Sequence, residues 1–289
     1  MKNIRLLSFL FVTAFIICLS ANANASYAVA NEFTPVLNSP DFNSVFGGTN
    51  GNRVALDNRG LIREMEFIAF PNTVFSIVNS IDMSDHFIYE VTTEDYPYTS
   101  SQLYIDSRFV TLTDTKPAER TKKLPSKEEI LANMGSLEGY PYMWGGNYGD
   151  GIDKLLDLYS PKTNISENVR STWKLKGVDC SGLLYQATNG STPRNTSSLI
   201  KYGSPVDIEG KSASEIAAML QPLDLITWSG HVIIVYDENT TIESAGGKGV
   251  IKSDLKHRIK SVVSERRPVN DWASTDGKRF VVRRWYGNN

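Results

Sequence analysis

The sequence predicts an α+β protein in which a small all-β region precedes a larger mixed domain. Three observations carry this. Between Arg53 and Leu112, short alternating apolar runs follow one another at close spacing, broken by turn residues such as Pro71-Asn72. After Cys180, the apolar positions Leu183, Leu184 and Ala187 fall on one helix face, and Asn189-Gly190 closes the pattern. Leu223–Trp228, His231–Tyr236 and Thr241–Ala245 then read as successive strands, with Phe280–Tyr286 as a last one. A hydrophobic content of 41% is ordinary for a globular chain and excludes general disorder.

The chain begins Met-Lys-Asn-Ile-Arg, continues with an apolar run from Leu6 to Leu19, and then shows the small-residue pattern Ala23-Asn24-Ala25. A basic start, a short apolar core and a small-residue site make residues 1–25 a secretory signal peptide, cleaved after Ala25. The run is short for a membrane span, so no membrane association is expected after cleavage. Cleavage removes Lys2 and Arg5 and no acid, taking the formal net charge of −2 two units lower. A weakly acidic chain of this kind has no electrostatic footprint for nucleic acid. Loss of Cys18 leaves Cys180 alone, without a partner for an internal disulfide.

Residues 26–52, rich in Asn, Gly and Ser, read as an irregular lead-in. Residues 53–112 form the β region, with strand-like runs at 64–70, 73–78, 86–91, 102–105 and 108–110, the pattern of a small barrel or sandwich. Residues 113–127 hold few large apolar side chains and read as a linker, after which the mixed domain runs from 128 to 289. Ser126 and Glu129 have the spacing of a capping box, so a helix follows them. Gly139–Gly146 is aromatic and glycine-rich, suited to walling a groove. About thirty residues then intervene before Gly177, including an amphipathic helix at Asp153–Tyr159.

The chemistry is carried by Cys180 and His231. Cys180 follows Asp179, which can cap the helix, so the thiol sits at a helix N-terminus, where the dipole favours a thiolate. His231 opens a strand and can serve as the base. A third group should lie on the neighbouring strand and orient the imidazole. Glu243 shares a face with His231 in a regular hairpin, and its carboxylate would stabilise an imidazolium. No metal or cofactor is required for such chemistry.

In this order, Tyr142-Met143-Trp144-Gly145-Gly146, Asp179-Cys180-Ser181-Gly182, Pro193-Arg194-Asn195-Thr196, Leu223-Asp224-Leu225-Ile226 and the strand from His231 make the chain resemble the NlpC-type cell-wall cysteine peptidases, a papain-like family, over about residues 128–286. The β region looks like a bacterial SH3-like domain, which often precedes this catalytic domain. The resemblance implies Cys180 as nucleophile, His231 as base and Glu243 as third member. It implies a substrate groove involving Tyr142, Trp144, Asp179, Ser181, Arg194, Asn195 and Thr196, and an oxyanion held by the Cys180 N–H with help from Tyr142. The implied substrates are peptidoglycan stem peptides or muropeptides, cut at the γ-D-glutamyl–diamino acid bond, and the implied location is secreted, periplasmic or in the cell envelope.

Three departures from the family stand out. The third member is usually His, and here it is Glu243. Members that read a free N-terminal L-alanine carry Arg-Asp-Ser where this chain has Arg194-Asn195-Thr196, which leaves that specificity open. The stretch at 147–176 is long for the family and is expected to lie along the groove rim. A wall-binding protein of weak or no activity, and a secreted papain-like effector with another substrate, stand beside the peptidase as alternative readings. Oligomeric state is not legible in the sequence.

Overall fold

The computed structural model describes residues 25–97, 101–273 and 277–287; the expected signal peptide falls, up to Asn24, outside the described residues. The first half is one antiparallel sheet. Its strands are β1 (Tyr27–Ala30), β2 (Thr34–Leu37), β3 (Met65–Ala69), β4 (Val74–Asp82), β5 (Phe87–Thr92), β6 (Leu103–Asp106) and β7 (Val110–Thr113), in the spatial order β3-β2-β6-β5-β4-β1-β7. The lead-in is therefore not irregular. It supplies β1, paired on both sides, β2, and a helix α1 (Phe42–Gly47) capped by Asp41. In β1 the inward residues are Ala28 and Ala30, too small to register as a strand pattern, and β2 is buried at all four positions, so neither shows the alternation that marks a half-exposed strand.

Nor does the sheet close into the expected barrel: among the described residues, β3 and β7 remain unpaired edges. The β3 edge is covered another way. Asn147 is fully buried; its side-chain amide accepts from the Ile68 N–H and donates to the Ile68 carbonyl, both at 2.8 Å. One side chain thus satisfies the two backbone groups of Ile68 that a closing strand would have taken.

Residues 114–126 contain no helix or strand but are pinned at both ends of a charge cluster. Arg120 and Lys122 both reach the buried Asp95, and Arg120 also donates to the Asn189 carbonyl. Helix α2 (Lys127–Ser136) then starts with the Ser126/Glu129 capping box that the spacing predicts.

The second half is built on another antiparallel sheet. Its strands are preceded by β8 (Asn147–Tyr148), α3 (Lys154–Leu158), α4 (Glu167–Trp173), β9 (Gly177–Val178), which pairs with β8, α5 (Cys180–Ala187) and α6 (Thr196–Leu199). β10 (Ser204–Pro205), helix α7 (Ala213–Met219), β11 (Leu225–Trp228), β12 (His231–Val235), β13 (Thr240–Ala245), β14 (Gly249–Asp254), helix α8 (Leu255–Glu265), β15 (Arg267–Pro268) and β16 (Arg279–Arg284) follow. The order is β10-β16-β11-β12-β13-β14, with β15 added parallel to β16. Alternation along β12 sorts its residues onto two layers. Val232 and Ile234 pack with α2 and α5, whereas Ile233 and Val235 pack with α7 and α8.

The long stretch between Gly146 and Gly177 does not lie along the groove rim. Ile152, Leu155, Tyr159, Trp173 and Leu175 join the core of the first sheet with Phe42, Phe46 and Phe109, and Tyr159 donates to Asp106 on β6. Trp173 is fully buried, so Trp173→Ala is expected to cost roughly 3–5 kcal/mol. Thermal melting followed by near-ultraviolet circular dichroism would measure it. A loss below about 1 kcal/mol would show that the stretch is a removable decoration.

Candidate active site

Helix α5 is placed by its cap. Asp179 Oδ1 accepts from the Gly182 N–H at 2.7 Å, and Asp179 Oδ2 accepts from the Gly145 N–H at 3.1 Å, tying the glycine-rich loop to the helix start. The helix also touches that loop directly: a Cβ at Gly182 would overlap the Gly146 carbonyl, so only glycine fits there. Beneath the cap lies Arg194, 2% exposed. It donates to both Asp179 oxygens (3.0 and 2.8 Å), to Ser181 Oγ (2.9 Å), to the Gly146 carbonyl (3.2 Å) and to Asn147 Oδ1 (3.1 Å). A continuous chain therefore runs from the β3 backbone through Asn147 and Arg194 to the residue preceding Cys180. Arg194 and Asp179 were expected to contact substrate. Of the two, Asp179 still lines the cavity beside Cys180, whereas Arg194 lies behind it and acts on the site through Asp179.

Cys180 is 6% exposed. Burial pushes its thiol up to about 12, and the Asp179 carboxylate adds to the rise; the Val232 and Ser181 N–H groups and the Arg194 charge pull the other way without overcoming it. The helix N-terminus contributes roughly 0.3–1 kcal/mol, less than a tenfold change in ionisation. The expected thiolate is thus not the resting form at neutral pH.

His231 follows a tight turn in which Gly230 has φ +93°, the left-handed region that glycine tolerates. Its Nε2 lies 2.7 Å from Glu243 Oε2, so the hairpin brings the two together. Burial pushes the Glu243 carboxyl up, but hydrogen bonds from His231 and Arg258 and the charge of Arg258 outweigh it and hold it at about 2. An ionised carboxylate only accepts. His231 Nε2 therefore carries the hydrogen, and Nδ1 is left with the lone pair of a base. The other face of the ring region is packed by Trp228, with ring centroids 5.1 Å apart, and Arg266 lies over Trp228.

Arg258, on α8, was not anticipated. Its Nε donates to Glu243 Oε1 at 2.6 Å and its Nη2 to Oε2 at 3.0 Å, a two-pronged clamp. The residue was hidden in the basic run Lys256-His257-Arg258, which reads as solvent-facing. A signal was present: Leu255, Ile259 and Val262 are the buried stripe of α8, and Arg258 falls on that stripe at i+3. A charge placed there needs a buried partner.

Cys180 opens into a cavity of about 590 Å³ whose walls come from both halves of the chain. Tyr142, Trp144, Asp179, Ser181, Asn195 and Thr196 are among the lining residues from the second half; Asn38, Arg63, Glu66 and Tyr96 come from the first. Arg63 sits 4.3 Å over the Trp144 ring. Tyr142 is kept a neutral phenol, because burial, Asp179 and Cys180 all push its ionisation up. Asn195 Nδ2 donates to the Tyr96 hydroxyl at 3.0 Å, and Tyr96 donates to Glu66 at 2.7 Å. A second cavity, of about 850 Å³, contains His231 and shares Tyr142, Trp144 and Gly230 with the first, so the two form one groove. None of the 147–176 residues lines either part.

No family model matches the sequence, and no curated protein sequence matches it. Solved structures similar to the chain are NlpC/P60 proteins. One is an NlpC/P60 family protein from Bacillus cereus: 15% identity, TM-score 0.33, over 91% of this chain and 64% of that one, so less than two thirds of its length is spanned. Another is NlpC1 from Trichomonas vaginalis: 13% identity, TM-score 0.33, over 92% of this chain and 95% of that one. A third is RipD from Mycobacterium tuberculosis, described as a non-catalytic NlpC/p60 domain protein with an adaptation to peptidoglycan binding: 19% identity, TM-score 0.33, over 55% of this chain and 95% of that one.

Proposed function

We propose that the protein is a secreted cysteine peptidase that hydrolyses peptidoglycan stem peptides at the γ-D-glutamyl–diamino acid bond. The observation that carries the reading is the His231–Glu243 contact of 2.7 Å, set in a groove that also holds a helix-start cysteine. Because the resting thiol is neutral, the proton leaves Cys180 for His231 Nδ1 as sulfur attacks the amide carbonyl. The carbonyl oxygen takes up negative charge and is met by the Cys180 N–H, which helix geometry leaves without an intrahelical acceptor, and by the Tyr142 hydroxyl. The imidazolium returns the proton to the leaving amine, the C–N bond breaks, and a thioester remains. Water then adds to the thioester, releasing the free acid and restoring the thiol.

The first half of the chain supplies the specificity. Asn195 lacks a charge, but Glu66, which accepts from the neutral donors Asn38 (2.8 Å) and Tyr96 (2.7 Å), brings a carboxylate to the same cavity. That carboxylate suits the free ammonium of an N-terminal L-alanine. Incubation of the pure protein with stem peptides that carry a free N-terminal L-alanine, followed by mass spectrometry, tests the reading. The native protein is expected to release L-alanyl-D-glutamate, and Cys180→Ala to release none. Intact stem peptides after incubation with the native protein would overturn it. Saturable binding of the stem peptides in that case would instead establish the binding-only reading, which the burial of the thiol favours.

A further inference from the structure

The two ends of the groove differ in charge. At the Cys180 end the wall holds Glu66, Asp179 and Arg63; Asp179 is paired with Arg194 and Arg63 with Asp57, which leaves the Glu66 carboxylate as the charge facing the cavity without a salt bridge among the described residues. At the His231 end the cavity is lined by Arg59 and Lys248 and by no acid; glycines 60, 139, 246, 247 and 249 make up much of the rest. Arg59 and Lys248 are exposed, and neither forms an ion pair among the described residues. Asp57, the acid whose carboxyl feels the Arg59 charge, is already bonded to Arg63 at 3.1 Å and to the backbone N–H groups of Arg59 and Leu61. Arg59 lines the His231-side cavity together with Tyr142, a residue that both cavities share.

We infer that the His231-side cavity is a carboxylate subsite, in which Arg59 and Lys248 read a free carboxylate on the segment that leaves with the amine. This deepens the peptidase reading and rests on it for the position of the scissile bond. A guanidinium presents two parallel donors to a carboxylate, and a lysine adds a point charge beside it. Glycines let backbone and ligand approach closely where side chains would block them. The polarity also fixes direction: the ammonium end of the peptide lies at Glu66 and the carboxylate end at Arg59 and Lys248. Reversed binding would set like charges against each other at both ends.

The test uses two synthetic peptides, L-alanyl-γ-D-glutamyl-diamino acid with the diamino acid carboxylate either free or amidated. Binding is measured on the Cys180→Ala protein by calorimetry, and turnover on the native protein. Amidation is expected to weaken binding roughly tenfold, the scale of a charge-assisted hydrogen bond, and to lower kcat/KM by a similar factor. In the Arg59→Gln, Lys248→Gln double variant the two peptides should bind alike. Equal affinity of acid and amide in the parent, discrimination that persists in the double variant, or no binding of either peptide would each overturn the inference. Discrimination in binding without cleavage by the native protein would support the subsite and refute the peptidase reading.

Discussion

Arg194→Met is expected to lower stability by roughly 3–5 kcal/mol, the cost of breaking a buried ion pair from one side. The guanidinium satisfies five acceptor contacts in a space where it is 2% exposed. Its removal leaves the buried Asp179 charge without its cation and strips a donor from Asn147, the residue that covers the β3 edge. Arg194→Lys should recover little, because one ammonium cannot span the same fork of acceptors. Equilibrium denaturation in urea would measure both variants. A loss under about 1 kcal/mol in Arg194→Met would show that the chain from β3 to the Cys180 helix does not bear on stability.

The second large effect is kinetic. Glu243→Gln is expected to lower kcat/KM on the order of a hundredfold, the lower range for general acid–base catalysis. Arg258 and His231 both donate to Glu243, whereas a glutamine amide has one accepting and one donating end, so one of the two contacts turns repulsive. Arg258→Met should leave the carboxylate buried with less to hold its charge, and its carboxyl should rise from about 2. The acid limb of the pH–rate profile then moves to higher pH, and Arg258→Lys restores part of the shift. In the parent, Glu243 contributes stability that is complete above the usual carboxylate range and is lost as pH falls from there toward 2. An acid limb unmoved in Arg258→Met would show that the clamp is not what keeps Glu243 ionised.

The reach of the sequence differs between the two halves of the site. Cys180, His231 and Glu243 follow local rules, a cap before a helix and alternation along a hairpin, and these rules place side chains without knowledge of the rest of the chain. Asn147, Glu66 and Tyr96 become meaningful only when two segments some eighty to a hundred residues apart meet, and no local pattern announces that meeting. The barrel failed for the same reason: alternation reveals strands, but whether an edge is closed by a strand or by one asparagine side chain is a tertiary matter. The stretch at 147–176 showed its helix at Asp153–Tyr159, but its apolar face gave no hint of which core it would join. The thiolate expectation rested on the helix dipole and the imidazole; burial, the largest effect on the thiol, is not visible before the fold is.

A nucleophilic Cys180 is tested most directly by intact-protein mass spectrometry on samples quenched in acid during turnover of the alanyl-glutamyl-diamino acid peptide. The expected result is a transient mass increase equal to the L-alanyl-D-glutamyl acyl group, mapped to the peptide that contains Cys180 and absent from Cys180→Ala, which also shows no turnover. Turnover by Cys180→Ala at the parental rate, with no adduct on the parent protein at any time point, would contradict it.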